Sequence, residues 1–153
     1  MNRPRGFSLI ELMIALLVVT ILATIAVPSY RQYILRSHRV EAKTALLNVA
    51  SEQEKFYLQR NRYANDDELV TSKADGGIGF TRTTERGWYD LKVVPDDANN
   101  PQEWTIEAVA NASQSDDAKC LYYSLDSTGA RRAGPNADGE GVTQASTEEC
   151  WGK

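Results

Sequence analysis

The side chain least in keeping with its surroundings is Glu11. It stands inside residues 7–27, FSLIELMIALLVVTILATIAV, a run otherwise interrupted only by Ser8, Thr20 and Thr24. A carboxylate at membrane depth costs about 2.5 to 3.5 kcal/mol at a helix centre and less near an end. Glu11 therefore marks a function, or it is tolerated at an interface beside the positive helix terminus. Other candidate chemistry is thin. His38 is the only histidine, and it reads as a surface or interface residue rather than a general base. The sequence holds no nucleophile–base set, phosphate loop, His-Glu-x-x-His or Cys-x-x-Cys, so an enzyme is not the reading and no cofactor is called for. Two cysteines, Cys120 and Cys150, and one histidine are too few for a zinc site. Asp138 and Glu140 lie in a glycine-rich turn where calcium would find two carboxylates, but the EF-hand spacing is missing. No metal site is assigned.

The elements that carry these residues follow from periodicity. As a helix, residues 7–27 would span roughly 31 Å, the thickness of a bilayer core. A secretory signal is cut after its apolar region at a small-residue site, and Val27, Pro28, Ser29 and Tyr30 match that poorly. Past Pro28, apolar residues recur at spacings of three and four: Val40, Ala42, Ala45, Leu46, Val49, Ala50 and Phe56. No glycine or proline falls between Pro28 and Gly76. One helix from Phe7 to about Arg60 is predicted, with Arg36, Arg39, Glu41, Lys43, Glu52 and Lys55 on polar faces. Pro28 removes a backbone donor, so it either kinks and loosens this helix or ends its membrane part.

Residues 61–84 read as an irregular connection. Residues 89–94, 103–109 and 120–125 read as strands, the second alternating well through Trp104, Ile106 and Ala108. A turn follows at residues 126–129. An antiparallel sheet of three or four strands packed on the second half of the helix is the predicted architecture.

Charge and cysteines bear on partners and compartment. The 153 residues carry a formal net charge of -4, which does not attract nucleic acid through the overall field. The basic residues of the head, Arg82, Arg86, Arg131 and Arg132, are few. Two cysteines fit either one disulfide or two separate thiols. In an exported domain the disulfide would close a loop of about 30 residues, worth roughly 3 to 4 kcal/mol. Arg3 and Arg5 favour an inside N-terminus, but Arg31, Arg36, Arg39 and Lys43 weaken that bias. A disulfide would place the C-terminal part outside the cytosol.

Gly6, Phe7, Ser8, Leu9, Ile10 and Glu11, with the apolar run behind them, resemble the processing motif of type IV prepilins. Pro28 also falls where that family carries a proline, and the order of helix, loop, strands and cysteine-closed loop is similar to the type IV pilin fold. The resemblance implies an α+β domain. It implies a leader, residues 1–6, removed by a prepilin peptidase between Gly6 and Phe7, with N-methylation of the new Phe7 amine. It divides the rest into an assembly helix, residues 7–29, and a head, residues 30–153. It gives Glu11 a role in subunit register, opposite the Phe7 ammonium of a neighbour, and pairs Cys120 with Cys150. The implied partners are other pilin subunits and the inner-membrane assembly machinery. The implied location is the bacterial inner membrane, with the head in the periplasm, and then the extracellular pilus. The C-terminal part looks most like minor pilins of the PilE type. A major pilin, a type II secretion pseudopilin, and a DNA- or surface-binding pilin are the alternatives, with nucleic acid the least favoured partner.

Overall fold

The computed structural model describes residues 7–152. The leader expected at residues 1–6, with Gly6, lies outside the described residues. Helix α1 runs Leu9–Arg60 and is unbroken at Pro28. The chain divides after Ile34 into two compact units. The first is the apolar part of α1, and every side chain from Phe7 to Tyr33 is exposed.

The second unit, from Leu35 onward, has its own core. The buried positions of α1 are Leu35, Arg39, Ala42, Leu46, Val49, Gln53 and Phe56. They step by four and three and so share one face. That face differs from the sequence expectation at two places. Arg39, assigned to a polar face, is buried, and Val40, assigned to the apolar pattern, is 59% exposed. One residue rotates the helix by about 100°, so neighbours in sequence take opposite fates.

Strands β1 (Tyr89–Pro95), β2 (Trp104–Ala110), β3 (Tyr122–Asp126) and β4 (Arg131–Gly134) form one antiparallel sheet in sequence order. The register sets Leu91, Ala108, Tyr123 and Ala133 in one cross-strand row, and Val93, Ile106 and Leu125 in the next. These side chains join Ala42, Leu46, Val49 and Phe56 of α1 in a single apolar cluster. The alternation of β1, buried on every other residue, is what packs one face and leaves the other wet. The predicted α+β class and helix-on-sheet layering are therefore present.

Two α-helices, and a short 3-10 helix at Ala112–Asp116, lie where loops were expected. α2 (Asp66–Val70) begins at a capping box in which Asn65 and Glu68 satisfy each other's backbone N–H. α3 (Gln144–Trp151) begins at a second box, Thr143 with Ser146. α3 covers the outer edge of β4. The Ser146 hydroxyl donates to the Ala133 carbonyl at 2.7 Å, the Ala133 N–H donates to Thr147 Oγ1 at 3.2 Å, and Trp151 Nε1 donates to the Arg132 carbonyl at 3.0 Å. An edge strand left open is a template for unwanted pairing, and this one is closed. Between β4 and α3 the chain crosses the Tyr122 ring at Gly139, where a Cβ would approach Tyr122 Cζ to 3.0 Å and φ is +78°.

The α2 cap yields a pH prediction. Arg62 donates to both Glu68 oxygens at 2.7 and 2.6 Å, and this bonding holds the Glu68 pKa below the ordinary glutamate value. A carboxyl depressed in the folded state contributes stability above its unfolded pKa and loses it as pH falls through the folded one. Glu68→Gln should lower stability at neutral pH and flatten the acid limb of the stability–pH curve. Urea unfolding from neutral pH down through the carboxylate range, read by tryptophan fluorescence, measures both.

Candidate assembly surface

Chemistry in the first unit is set by what its side chains lack. Residues 7–27 expose a continuous apolar surface, and α1 is the one described helix long and apolar enough to cross a membrane. Three of its hydroxyls are closed on the helix itself. Thr20 Oγ1 donates to the Leu16 carbonyl at 2.8 Å, Thr24 Oγ1 to Ile21 at 2.7 Å and Ser29 Oγ to Ile25 at 3.0 Å. Glu11 differs, being a carboxylate exposed in the first turn with no ion pair shown to another described side chain. Phe7, the expected first mature residue, is 82% exposed.

In the second unit, α1 also has an uncovered side. Val40, Leu47 and Leu58 are exposed and lie opposite the buried face by helical spacing. The covered side is tied down by a polar cluster. Arg39 donates to both oxygens of Asp117, from Nε at 2.7 Å and from Nη2 at 2.8 Å. Gln114 Nε2 donates to Asp117 and to the Leu35 carbonyl. His38 Nδ1 lies 3.0 Å from Gln114 Oε1, and its ring stacks on Trp88. His38 is thus an interface residue inside the head, with no base–nucleophile geometry around it. Burial opposes the Arg39 charge, but the hydrogen bonds and charge of Asp117 outweigh it, and the guanidinium pKa is raised. Burial likewise pushes up the neighbouring phenols of Tyr89 and Tyr123.

One turn further along α1, Lys43 Nζ donates to the Trp151 carbonyl at 3.1 Å. Asp117 and Trp151 stand just outside Cys120 and Cys150, which form the disulfide. Lys119 and Glu149 pair beside it. Two basic residues of one helix face therefore hold both arms of the disulfide-closed segment. The pairing of the cysteines was legible in the sequence. The Arg39–Asp117 contact joins residues far apart in the chain, and no local pattern announces it.

The remaining candidates are placed as follows. Asp138 Oδ1 accepts the Glu140 N–H at 2.9 Å and so closes a turn, and the described residues contain no group of three or more metal-ligating side chains. Arg82 is paired with Asp66, Arg86 lies over Trp88, Arg131 lies over Trp151, and Arg132 is 3.7 Å from Asp126. They are held by separate partners.

Removing one member of a buried ion pair leaves the other uncompensated and costs about 3 to 5 kcal/mol. Asp117→Ala should destabilise the head by that order. Adding Arg39→Met should recover part of the loss, since it removes the stranded charge. Urea unfolding of the full chain in detergent micelles reads this directly, because Trp88, Trp104 and Trp151 all lie in the second unit.

Comparison with known proteins adds the family. Residues 28–124, more than half of the chain, match the family model described as type IV minor pilin ComP, DNA uptake sequence receptor. Residues 1–27 match the prokaryotic N-terminal methylation motif. A fimbrial protein of Pseudomonas aeruginosa is 30% identical over 118 residues, covering 75% of this chain and 72% of that one. The type IV major alpha-pilin of Moraxella bovis is 31% identical over 86 residues, 56% of this chain and 54% of that one. The type IV major pilin protein PilA of Myxococcus xanthus is 43% identical over 63 residues, 41% of this chain and 29% of that one. The aligned parts thus span less than two thirds of the Moraxella and Myxococcus proteins. With the helix, the four-stranded sheet and the Cys120–Cys150 bond already in view, the conclusion is that this chain belongs to the type IV pilin family.

Proposed function

We propose that this chain is a minor subunit of a type IV pilus, helping to initiate the fibre or inserted in it through its N-terminal helix. The observation that carries the reading is the fully exposed apolar surface of residues 7–27, broken by one carboxylate. Before assembly that surface rests in the inner membrane as residues 7–29 of the mature chain, with residues 30–153 in the periplasm. A prepilin peptidase cuts between Gly6 and Phe7, and the Phe7 amine is methylated. In the fibre the helix packs against those of neighbouring subunits, and Glu11 meets the ammonium of a neighbour's Phe7. A buried charge left alone costs several kcal/mol, so the pair penalises wrong axial registers. Pro28 lacks a backbone donor and gives the helix a place to bend on transfer. The minor role is supported by the family model over residues 28–124, whose description names a minor pilin. The relatives named as major pilins keep a major role as the alternative.

Glu11→Ala is the test. Processing after Gly6 should persist while the amount of the chain in sheared fibres falls, read by mass spectrometry of the mature N-terminus and by immunoblotting. Normal incorporation of the variant would sink the register role.

A second reading, a DNA-binding pilin, is favoured by the receptor named in the same family description. The net charge of -4 opposes general attraction to DNA, so binding would rest on local contacts. Arg86 and Arg131 each present a guanidinium beside an indole, a combination that suits phosphates and bases alike. On this reading the full chain in nanodiscs retards duplex DNA, and Arg131→Ala with Arg132→Ala weakens retardation and its salt dependence. No retardation at any salt excludes the reading.

A further inference from the structure

We propose that Tyr30, Arg31 and Tyr33 form a girdle that seats among phospholipid headgroups and fixes the height of the helix in the bilayer before assembly. The inference rests on the reading that residues 7–27 span a membrane.

The distances along α1 are the starting point. At 1.5 Å per residue, Glu11 and Tyr30 are about 28 Å apart, close to the ~30 Å of a hydrocarbon core. Between them the helix asks nothing of water. The hydroxyls of Thr20, Thr24 and Ser29 are spent on its own carbonyls, and the other side chains from Leu12 to Pro28 carry no polar atom that needs a hydrogen-bond partner. At Tyr30 the chemistry changes at once. Tyr30 and Tyr33 are 66% and 69% exposed, and Arg31 between them is exposed too.

These residue types are suited to an interface. A phenol has an apolar ring and one polar atom, and it gains most where its ring meets acyl chains and its hydroxyl meets water or ester oxygens. Tyr30 and Tyr33 are three apart and so neighbours on the helix surface, while Arg31 points about 100° away. A guanidinium can donate two hydrogen bonds to one phosphate. Polar contact is thus offered around much of the helix at a single level.

Both ends then resist sliding. Moving the helix by one turn, about 5.4 Å, in one direction draws Arg31 and both phenols into hydrocarbon. Moving it the other way draws Glu11 in. A charge drawn below the headgroups is penalised, whereas a Thr or Leu shifted by one turn costs little. Glu11 at one boundary and the Tyr30–Tyr33 level at the other therefore define one height, with Pro28 just inside the outer boundary. The same three side chains must leave the headgroups when the subunit enters a fibre.

Depth-dependent quenching tests this on the full chain in nanodiscs of phosphatidylethanolamine and phosphatidylglycerol. The lipids are brominated near the headgroup end of the acyl chain or near its methyl terminus. Ile21→Trp, Tyr30→Trp and Tyr33→Trp are compared, each after subtraction of the parent signal from Trp88, Trp104 and Trp151. The expected pattern is strongest quenching by methyl-terminal bromine for the Ile21 variant and by headgroup-end bromine for the two tyrosine variants. Deep quenching at position 21 with none at 30 and 33 overturns the girdle and leaves the membrane span intact. No quenching at position 21 removes the span itself, and the girdle with it. Adding Tyr30→Ala and Tyr33→Ala to the Ile21→Trp reporter should shift its quenching away from the bilayer centre. An unchanged profile overturns the height-fixing role.

Discussion

Everything in this chain answers to one constraint: the first half of α1 has no apolar cover of its own. The large side chains of residues 7–27 are exposed, and each would gain about 1.5 to 3 kcal/mol on full burial. Water is therefore excluded as a resting place, and lipid or neighbouring helices remain. Lipid tails are as apolar as leucine, so hydrophobic energy hardly distinguishes the two. Passage from membrane to fibre becomes feasible for that reason. The choice between them is left to close packing and to the few polar atoms on the helix.

The second unit solves the opposite problem. Its part of α1 buries one face against a four-stranded sheet whose inner rows are set by register. The segment after β2 and the segment after β4 have little apolar surface of their own to hold them. They are fixed from three directions: the Cys120–Cys150 bond, the Arg39–Asp117 pair, and the cover that α3 gives to the β4 edge. The disulfide restricts the unfolded chain, whereas the ion pair penalises misplacement of the folded one. The two devices act on different states and do not duplicate each other.

What the sequence disclosed follows from the range of the forces involved. α1 was legible to its C-terminal residue because periodicity without glycine or proline is a local signal. β1 and β2 were legible because they alternate, and β3 was located by its apolar run. β4, Arg131–Gly134, has no alternation to find and exists by pairing with β3. α3 is held by side-chain bonds to β4 and by Cys150, so its own pattern is weak. α2 is a different case. Asn65 followed by Glu68 is a capping signal that a closer reading of residues 61–84 would have found. Arg39 was misassigned because a cation on a helix is ordinarily solvated, and only Asp117, distant in sequence, makes its burial tolerable. In the candidate site, the anomaly of Glu11 was visible at once, and the pairing of the cysteines came with the family resemblance. The exposed level at Tyr30 to Tyr33 gained meaning only when the hydroxyls before it were seen to be closed on the helix.

Those closed hydroxyls decide where specificity in assembly must come from. Thr20, Thr24 and Ser29 already bond within the helix, so on moving from lipid to fibre they need no new partner and report nothing about position. The apolar side chains are nearly indifferent between the two surroundings. The remaining polar side chains lie toward the two ends of the segment: Ser8 and Glu11 at one, and Tyr30, Arg31, Gln32 and Tyr33 at the other. A helix with many unsatisfied polar groups would be trapped wherever it first satisfied them, and one with none would slide freely. With polar side chains confined to its two ends, the segment has on the proposed reading one favoured height in a bilayer and one favoured register in a fibre.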